Sequence, residues 1–192
     1  LMFKVGGSLN KNNLFSPGDS YFTNRPNINP FNADGSYALR DALTNQRLMN
    51  NLAEAEQNDN NQKAFAVTGN IGGELKLTDG LFFTSTNGID YSDVQEDIYK
   101  SSRNLSGQSD GGISLRSSAN VLRWISINRF NFNRQFGKHD VEAVLGSEAS
   151  EERRSSRYAE GWGFANDKIK EVTYAVTRKG GSNAEENSSL SM

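Results

Sequence analysis

The 192-residue chain has no cysteine, a single histidine, three prolines and no long apolar run. The missing thiols exclude a disulfide framework, a cysteine-zinc centre and a cysteine nucleophile. A membrane-crossing helix needs about 20 consecutive, mostly apolar residues, and no stretch of the chain comes near that. Charge of one sign is also missing: 21 Lys and Arg against 23 Asp and Glu leave a net charge of −2. Neither a nucleic-acid-binding surface nor a polybasic membrane anchor is indicated. Hydrophobic residues are only 35% of the chain and the mean hydropathy is −0.68, which suits a compact soluble core poorly. A membrane β-strand needs apolar residues only at alternate positions. The low hydropathy is therefore compatible with a transmembrane β-barrel and incompatible with a helical membrane protein.

What is present is alternation over unusual length. In 65–77 the odd positions Phe65, Val67, Ile71, Leu75 and Leu77 are apolar, and the even positions Thr68, Asn70, Gly72, Glu74 and Lys76 are polar or tiny. A period of two makes one face of a strand greasy and the other wet, and this run is about twice the usual 5–6 residues. The pair Asp79-Gly80 supplies the positive φ of a tight turn before the return arm 81–95. A second hairpin is read over 112–136 and 141–152, around a turn at Gly137-Lys138-His139-Asp140. In its first arm Phe130 and Phe132 are out of phase with Ile125 and Ile127, which predicts a bulge. In its second arm Val141, Ala143 and Leu145 share one face, with Glu142 and Glu148 on the other.

Around the hairpins lie polar segments. Residues 1–12 read as a strand. The stretch 13–62 holds Pro17, Pro26 and Pro30, a turn at Asp34-Gly35-Ser36 and one or two helical turns within 38–55, where Leu39, Leu43, Leu48 and Leu52 are imperfectly spaced for one face. Connections this long are usually functional loops or disorder. Residues 96–111 and 153–166 read as further loops, and 167–178 as one more strand with Val172, Tyr174 and Val176 in phase. Polarity is also sorted along the strands. Large apolar residues crowd the short turns, whereas Asp90, Asp93, Glu96 and Asp97, and Glu151, Glu152, Arg153 and Arg154, lie far from them. Strands that leave hydrocarbon and continue into water have this gradient.

The stretch Gly69–Tyr91, with its Gly-Asn start, Leu-Thr-Asp-Gly-Leu turn and Gly88-Ile89-Asp90-Tyr91 ending, resembles an early barrel hairpin of the SusC/RagA family of TonB-dependent outer-membrane transporters of Bacteroidota. Trp124 and the segment Asn128–Glu148, with Phe136-Gly137-Lys138-His139 and Leu145-Gly146-Ser147-Glu148, resemble a second hairpin of that family. Phe130 and Phe132 stand where Leu and Tyr are commoner. Pro30–Ser36 is similar to the family's first long external loop. The resemblance implies an all-β fold: an antiparallel meander of long strands, part of a large transmembrane β-barrel wall, with long external loops. Such transporters have about 22 strands and a plugged lumen. Residues 1–192 are accordingly expected to be a partial barrel domain cut from a larger protein, without signal peptide, plug or the remaining strands. The resemblance further implies import of oligosaccharides or peptides, TonB energy, a SusD-like surface lipoprotein as lid, and contact with outer-membrane lipid. The even positions of 64–76 would then face the lumen, and Leu75, Leu77 and the other odd positions the lipid.

No catalytic, cofactor-binding or metal-ligating set emerges, no cofactor is expected, and substrate contacts are not assigned. His139 sits in a tight turn with only Asp140 beside it, so a catalytic triad is not supported. Asp93, Glu96 and Asp97 offer hard oxygen ligands of the kind calcium uses, but no calcium-loop motif frames them. Gly72-Gly73 and Gly111-Gly112 precede no helix and are not phosphate loops. Tyr158, Trp162 and Phe164 are read as part of an outer aromatic girdle, with stacking on sugar rings as the competing role. Two other functions stand beside active transport: a passive porin-like or adhesin barrel, and a soluble carbohydrate-binding β-sandwich.

Overall fold

The computed structural model describes residues 1–14 and 27–192; Pro17 and Pro26 lie outside the described residues. The described residues form one antiparallel sheet of six strands in sequence order: β1 (Met2–Asn13), β2 (Asp59–Thr78), β3 (Leu81–Lys100), β4 (Ile113–Phe136), β5 (His139–Trp162) and β6 (Thr177–Ser191). A short helix, α1 (Asn51–Gln57), precedes β2, and 3-10 turns occupy Gln108–Asp110 and Val172–Tyr174.

Every strand pairs with its neighbour in sequence, so short turns stack at one end and longer connections at the other. At the first short turn Gly80 has φ +82°, and a Cβ there would meet the Asn133 carbonyl oxygen at 2.5 Å. Asn133 N–H donates to the Gly80 carbonyl at 2.7 Å, so the turn is also clamped to β4. The only register shift in β2–β3 lies beside this turn, between Lys76 and Thr78. The bulge expected in β4 is absent. β3 and β4 pair without interruption from Leu81↔Phe132 to Lys100↔Ile113, and β4 and β5 from Ile113↔Trp162 to Phe136↔His139. The change of phase is real in sequence, but it moves Ile125 and Ile127 to the opposite face instead of bending the strand. Gly88 makes room for Ile125, whose Cγ2 lies 3.1 Å from where a glycine Cβ would sit.

Several boundaries differ from the expectation. β2 starts at Asp59, β3 reaches Lys100 and β5 reaches Trp162. Asp93, Glu96 and Asp97 are therefore strand residues, and 153–162 is strand, not loop. Polar sequence continues as strand here because ladder hydrogen bonds need only backbone, and charged side chains pair across strands. The strand expected at 167–178 is instead an irregular segment with a 3-10 turn. Val172 and Ala175, three apart, both pack against Gly161, which favours a turn over alternation. The last strand is the polar run Thr177–Ser191, supported along β5 by the ion pairs Lys179–Glu160 and Arg153–Glu186.

Register and alternation assign every side chain to a face. One face carries Phe3, Val5 and Leu9 of β1, Phe65, Val67, Ile71, Leu75 and Leu77 of β2, Phe83, Ile89 and Tyr91 of β3, Leu122, Trp124, Phe130 and Phe132 of β4, and Val141 and Leu145 of β5. The other carries Lys4, Ser8, Thr68, Asn70, Glu74, Asp90, Ser92, Arg123, Glu148, Glu152 and Arg154. No second layer of described residues covers the apolar face: Val67, Ile71, Leu75 and Leu77 are 37%, 48%, 60% and 48% exposed. The β-sandwich reading is thereby overturned, since a sandwich buries one face of each sheet against the other.

Candidate functional site

The apolar face has the dimensions of a bilayer. From Phe65 to Leu75 is ten residue steps, which at about 3.4 Å each and a tilt of about 40° rise about 26 Å, the height of a barrel's lipid-facing band. Beyond Phe65 the same face turns to Lys63, Asn61 and Asp59 on β2, and beyond Tyr91 to Asp93, Gln95 and Asp97 on β3. No helix among the described residues is long and apolar enough to cross a membrane; the strands supply the span.

The opposite, polar face holds a groove of about 580 Å³ between β1 and β5, lined in part by Ser8, Thr68, Asp90, Ser92, Arg123 and Arg154. Its charges form a transverse ladder. Asp90 is opposite Arg123, and Arg123 is opposite Glu152. The Glu152 carboxylate accepts from Arg123 and, at 2.5 Å, from Arg154 Nε. Gly6 and Gly7 of β1 keep the groove's edge low. The arrangement offers both signs of charge and several hydroxyls to a polar solute. Sequence analysis assigned no substrate contacts; what brings these polar side chains together is cross-strand register, which the linear sequence does not print.

At the end away from the short turns, loops fold into a polar rim. The Asn58 amide is saturated: its Oδ1 accepts from Ser101 N–H at 2.8 Å and Asn104 Nδ2 at 2.6 Å, and its Nδ2 donates to Glu54 and to Ser106 Oγ. Ser106 Oγ donates to Glu54 Oε2 at 2.6 Å. Ser101 and Asn104 are fully buried. Asn50 caps α1, accepting from Leu52 and Ala53 N–H, and donates to the Pro30 and Ala38 carbonyls. The 101–112 loop is thus latched to α1, and α1 to the 27–50 segment.

The segment 163–176 folds back over the outward side of the strand ends. Phe164 packs edge-on against Tyr99, ring centroids 5.6 Å apart, with Ala175 completing a small cluster. Asp167 accepts from the Tyr99 hydroxyl at 2.7 Å, Ser102 N–H at 3.0 Å and Arg103 Nε at 2.9 Å. Burial pushes the Asp167 carboxyl up, but these donors together outweigh it and hold it below its ordinary value of 3.8. Burial, then Asp167, pushes the Tyr99 phenol above its usual range. A depressed carboxylate contributes stability that is complete above pH 3.8 and is lost as pH falls through its folded value. Hydrogen exchange of 163–176 should accordingly rise in acid well before the strands exchange, and Asp167→Ala should loosen the segment by about 1–3 kcal/mol at neutral pH.

His139 opens β5 at the exposed turn, opposite Phe136. Among the described residues no three His, Cys, Asp or Glu side chains are placed to hold a metal. Asp93 and Asp97 share the outward face, whereas Glu96 lies on the other. Asp97 is bound by Arg116 at 2.5 Å. The aromatic girdle is not formed by Tyr158, Trp162 and Phe164. Tyr158 and Trp162 lie on the polar face, Trp162 under Lys179 at 5.0 Å, and Phe164 is in the rim cluster. Even spacing sends 158 and 162 to one side; the chain turn at Gly163, φ +75°, sends Phe164 to the other.

An open antiparallel meander with a hydrocarbon-sized apolar face, a charged opposite face, tight turns at one end and an ordered polar rim at the other is the wall of a large outer-membrane β-barrel of Gram-negative bacteria, in the fold of SusC/RagA-type TonB-dependent transporters. No family model matches the chain. It is 24% identical over 144 residues to TonB-dependent receptor P3 of Formosa agariphila, a match covering 75% of this chain and 14% of that protein. It superposes on the RagAB peptide transporter with TM-score 0.63 at 17% identity, over 84% of this chain and 19% of that one. With the RagAB peptide importer in its closed-closed state the TM-score is 0.66 at 16% identity, over 98% of this chain and 23% of that one. The chain spans less than a quarter of the length of each.

Proposed function

We propose that residues 1–192 are a partial barrel domain of an active outer-membrane transporter that imports oligosaccharides or peptides, energised by TonB and capped by a SusD-like lipoprotein. The observation that carries this reading is the two-faced sheet: a 26 Å apolar band (about, from strand rise and tilt) backed by the Asp90–Arg123–Glu152–Arg154 groove. The names of the similar proteins, a TonB-dependent receptor and a peptide transporter, support transport over enzyme chemistry. The chain supplies wall and rim; the plug and the remaining strands belong to the rest of the intact protein. The polar rim, latched through Asn58 and Asp167, is a preformed surface for a lid.

The test is uptake of labelled oligopeptides and oligosaccharides by cells expressing the intact protein, with and without a functional TonB. Active transport predicts at least a tenfold loss of uptake without TonB. Undiminished uptake would overturn it in favour of a passive pore.

A further inference from the structure

Where the apolar band ends on β1 and β2, two lysines meet. Lys11 is directly opposite Lys63, and both are exposed on the side of the sheet that carries the apolar residues. Like charges directly opposite each other in a sheet are destabilising. Two other cations of this face are neutralised, Arg116 by Asp97 and Glu171, and Arg153 by Glu151 and Glu186. The lysine pair has no carboxylate partner among the described residues. Lys63 is opposite Gln95, and the acids on either side of Gln95 are engaged. Asp93 accepts from Gln95 Nε2 at 2.9 Å, and Asp97 holds Arg116. What the pair lacks is an anion.

Its neighbours along the strands indicate which one. Two residues toward the short turns, Leu9 is opposite Phe65, both exposed. Two residues the other way, Asn13 is opposite Asn61. Each such step rises about 5 Å at a strand tilt of about 40°. Apolar side chains, two ammoniums and amides thus follow one another within about 10 Å of height. That is the order of acyl chain, phosphate and sugar in a phosphorylated glycolipid. In outer-membrane barrels the long connections lie outside, so the pair sits in the outer leaflet, whose lipid in Gram-negative bacteria is of that kind. Lysine stems at the edge of the band run along apolar surface and carry their ammoniums to headgroup level.

We propose that Lys11 and Lys63 clamp a phosphate of this glycolipid, with its acyl chains along Leu9 and Phe65 and its sugar at Asn61. The proposal rests on placing the apolar face in hydrocarbon. Two ammoniums on one phosphate make charge-assisted hydrogen bonds, and the phosphate cancels the repulsion between them.

The test is native mass spectrometry of the intact protein in neutral detergent, titrated with lipid A. The Lys11→Gln, Lys63→Gln double variant keeps the lysine stems' bulk at exposed sites, and heat-modifiable migration checks its fold. It should need at least tenfold more lipid A for half occupancy than wild type. Dephosphorylated lipid A should bind wild type at least tenfold more weakly, and a large excess of inorganic phosphate should not displace lipid A. Lys100→Gln, on the opposite face of β3, should bind as wild type does. Equal binding by wild type and the double variant, equal binding with and without the lipid's phosphates, displacement by inorganic phosphate, or an equal loss in Lys100→Gln would each overturn the proposal. A spin label at Val5→Cys, on the same face of β1, separates the failures. If it is shielded from lipid-borne relaxers, the membrane placement is wrong and the site falls with it. If it is open to them and the double variant still binds as wild type does, only the phosphate clamp is wrong.

Discussion

Phe130→Arg should destabilise the barrel by about 1–3 kcal/mol, whereas Asn131→Arg, one residue away, should change it by less than about 1 kcal/mol. Phe130 lies on the apolar face in the cross-strand row of Leu75 and Phe83, toward the turn-side end of the band, 43% exposed, opposite Phe83 and Leu145. Its ring centroid is 5.0 Å from that of Phe83. An arginine there puts a guanidinium in the outer part of the hydrocarbon, where such substitutions cost less than the about 2–4 kcal/mol of the midplane, and it also removes the ring pair, worth about 0.5–1.5 kcal/mol. Asn131 points to the polar side and donates to Thr84 Oγ1 at 3.2 Å. An arginine at 131 extends into water and gives up one exposed hydrogen bond. Urea unfolding of the intact protein in lipid vesicles, with the folded fraction scored by heat-modifiable migration, measures both. Equal effects, or a larger effect at 131, would mean that the faces have been assigned the wrong way round.

Asn58→Ala should open the rim, raising exchange of the 101–112 amides by the equivalent of about 3 kcal/mol while β2–β5 keep their protection. The estimate follows from what the truncation strands. Ser101 N–H and Asn104 Nδ2 lose their acceptor while fully buried, and the buried Glu54 loses a donor. Each buried group left unpaired costs about 1–3 kcal/mol. Asn58→Asp tests the chemistry more narrowly. It keeps the acceptor for Ser101 and Asn104 but sets a carboxylate against Glu54, so its rim should loosen more at neutral pH than in mild acid. If the loop exchanges at wild-type rates in Asn58→Ala, the latch does not hold it.

The hairpins were legible because their signal is local. Alternation from Phe65 to Leu77 and the pair Asp79-Gly80 fix a strand and its turn with no reference to the rest of the chain. Where the reading failed, the deciding partner lay elsewhere. Thr177–Ser191 has no apolar alternation and forms a strand because β5 offers it a backbone edge. Val172, Tyr174 and Val176 alternate but do not form a strand, because Val172 and Ala175 settle on Gly161. Ile125 and Ile127 suggested a bulge because an apolar pair on the wet side looked like a slipped phase. Gly88, opposite Ile125, accommodates it with the ladder unbroken.

From the residues alone came the all-β class, the two hairpins, the two-sidedness of each strand and the outer-membrane setting. All of these depend on a period-two pattern that survives in one dimension, since hydrocarbon selects each strand's outward residues separately. Only the folded chain decided which charges meet in the Asp90–Arg123–Glu152–Arg154 ladder and how Asn58 and Asp167 lock the rim. Those groupings come from cross-strand register and loop return, and the physics that sets them acts between residues tens of positions apart.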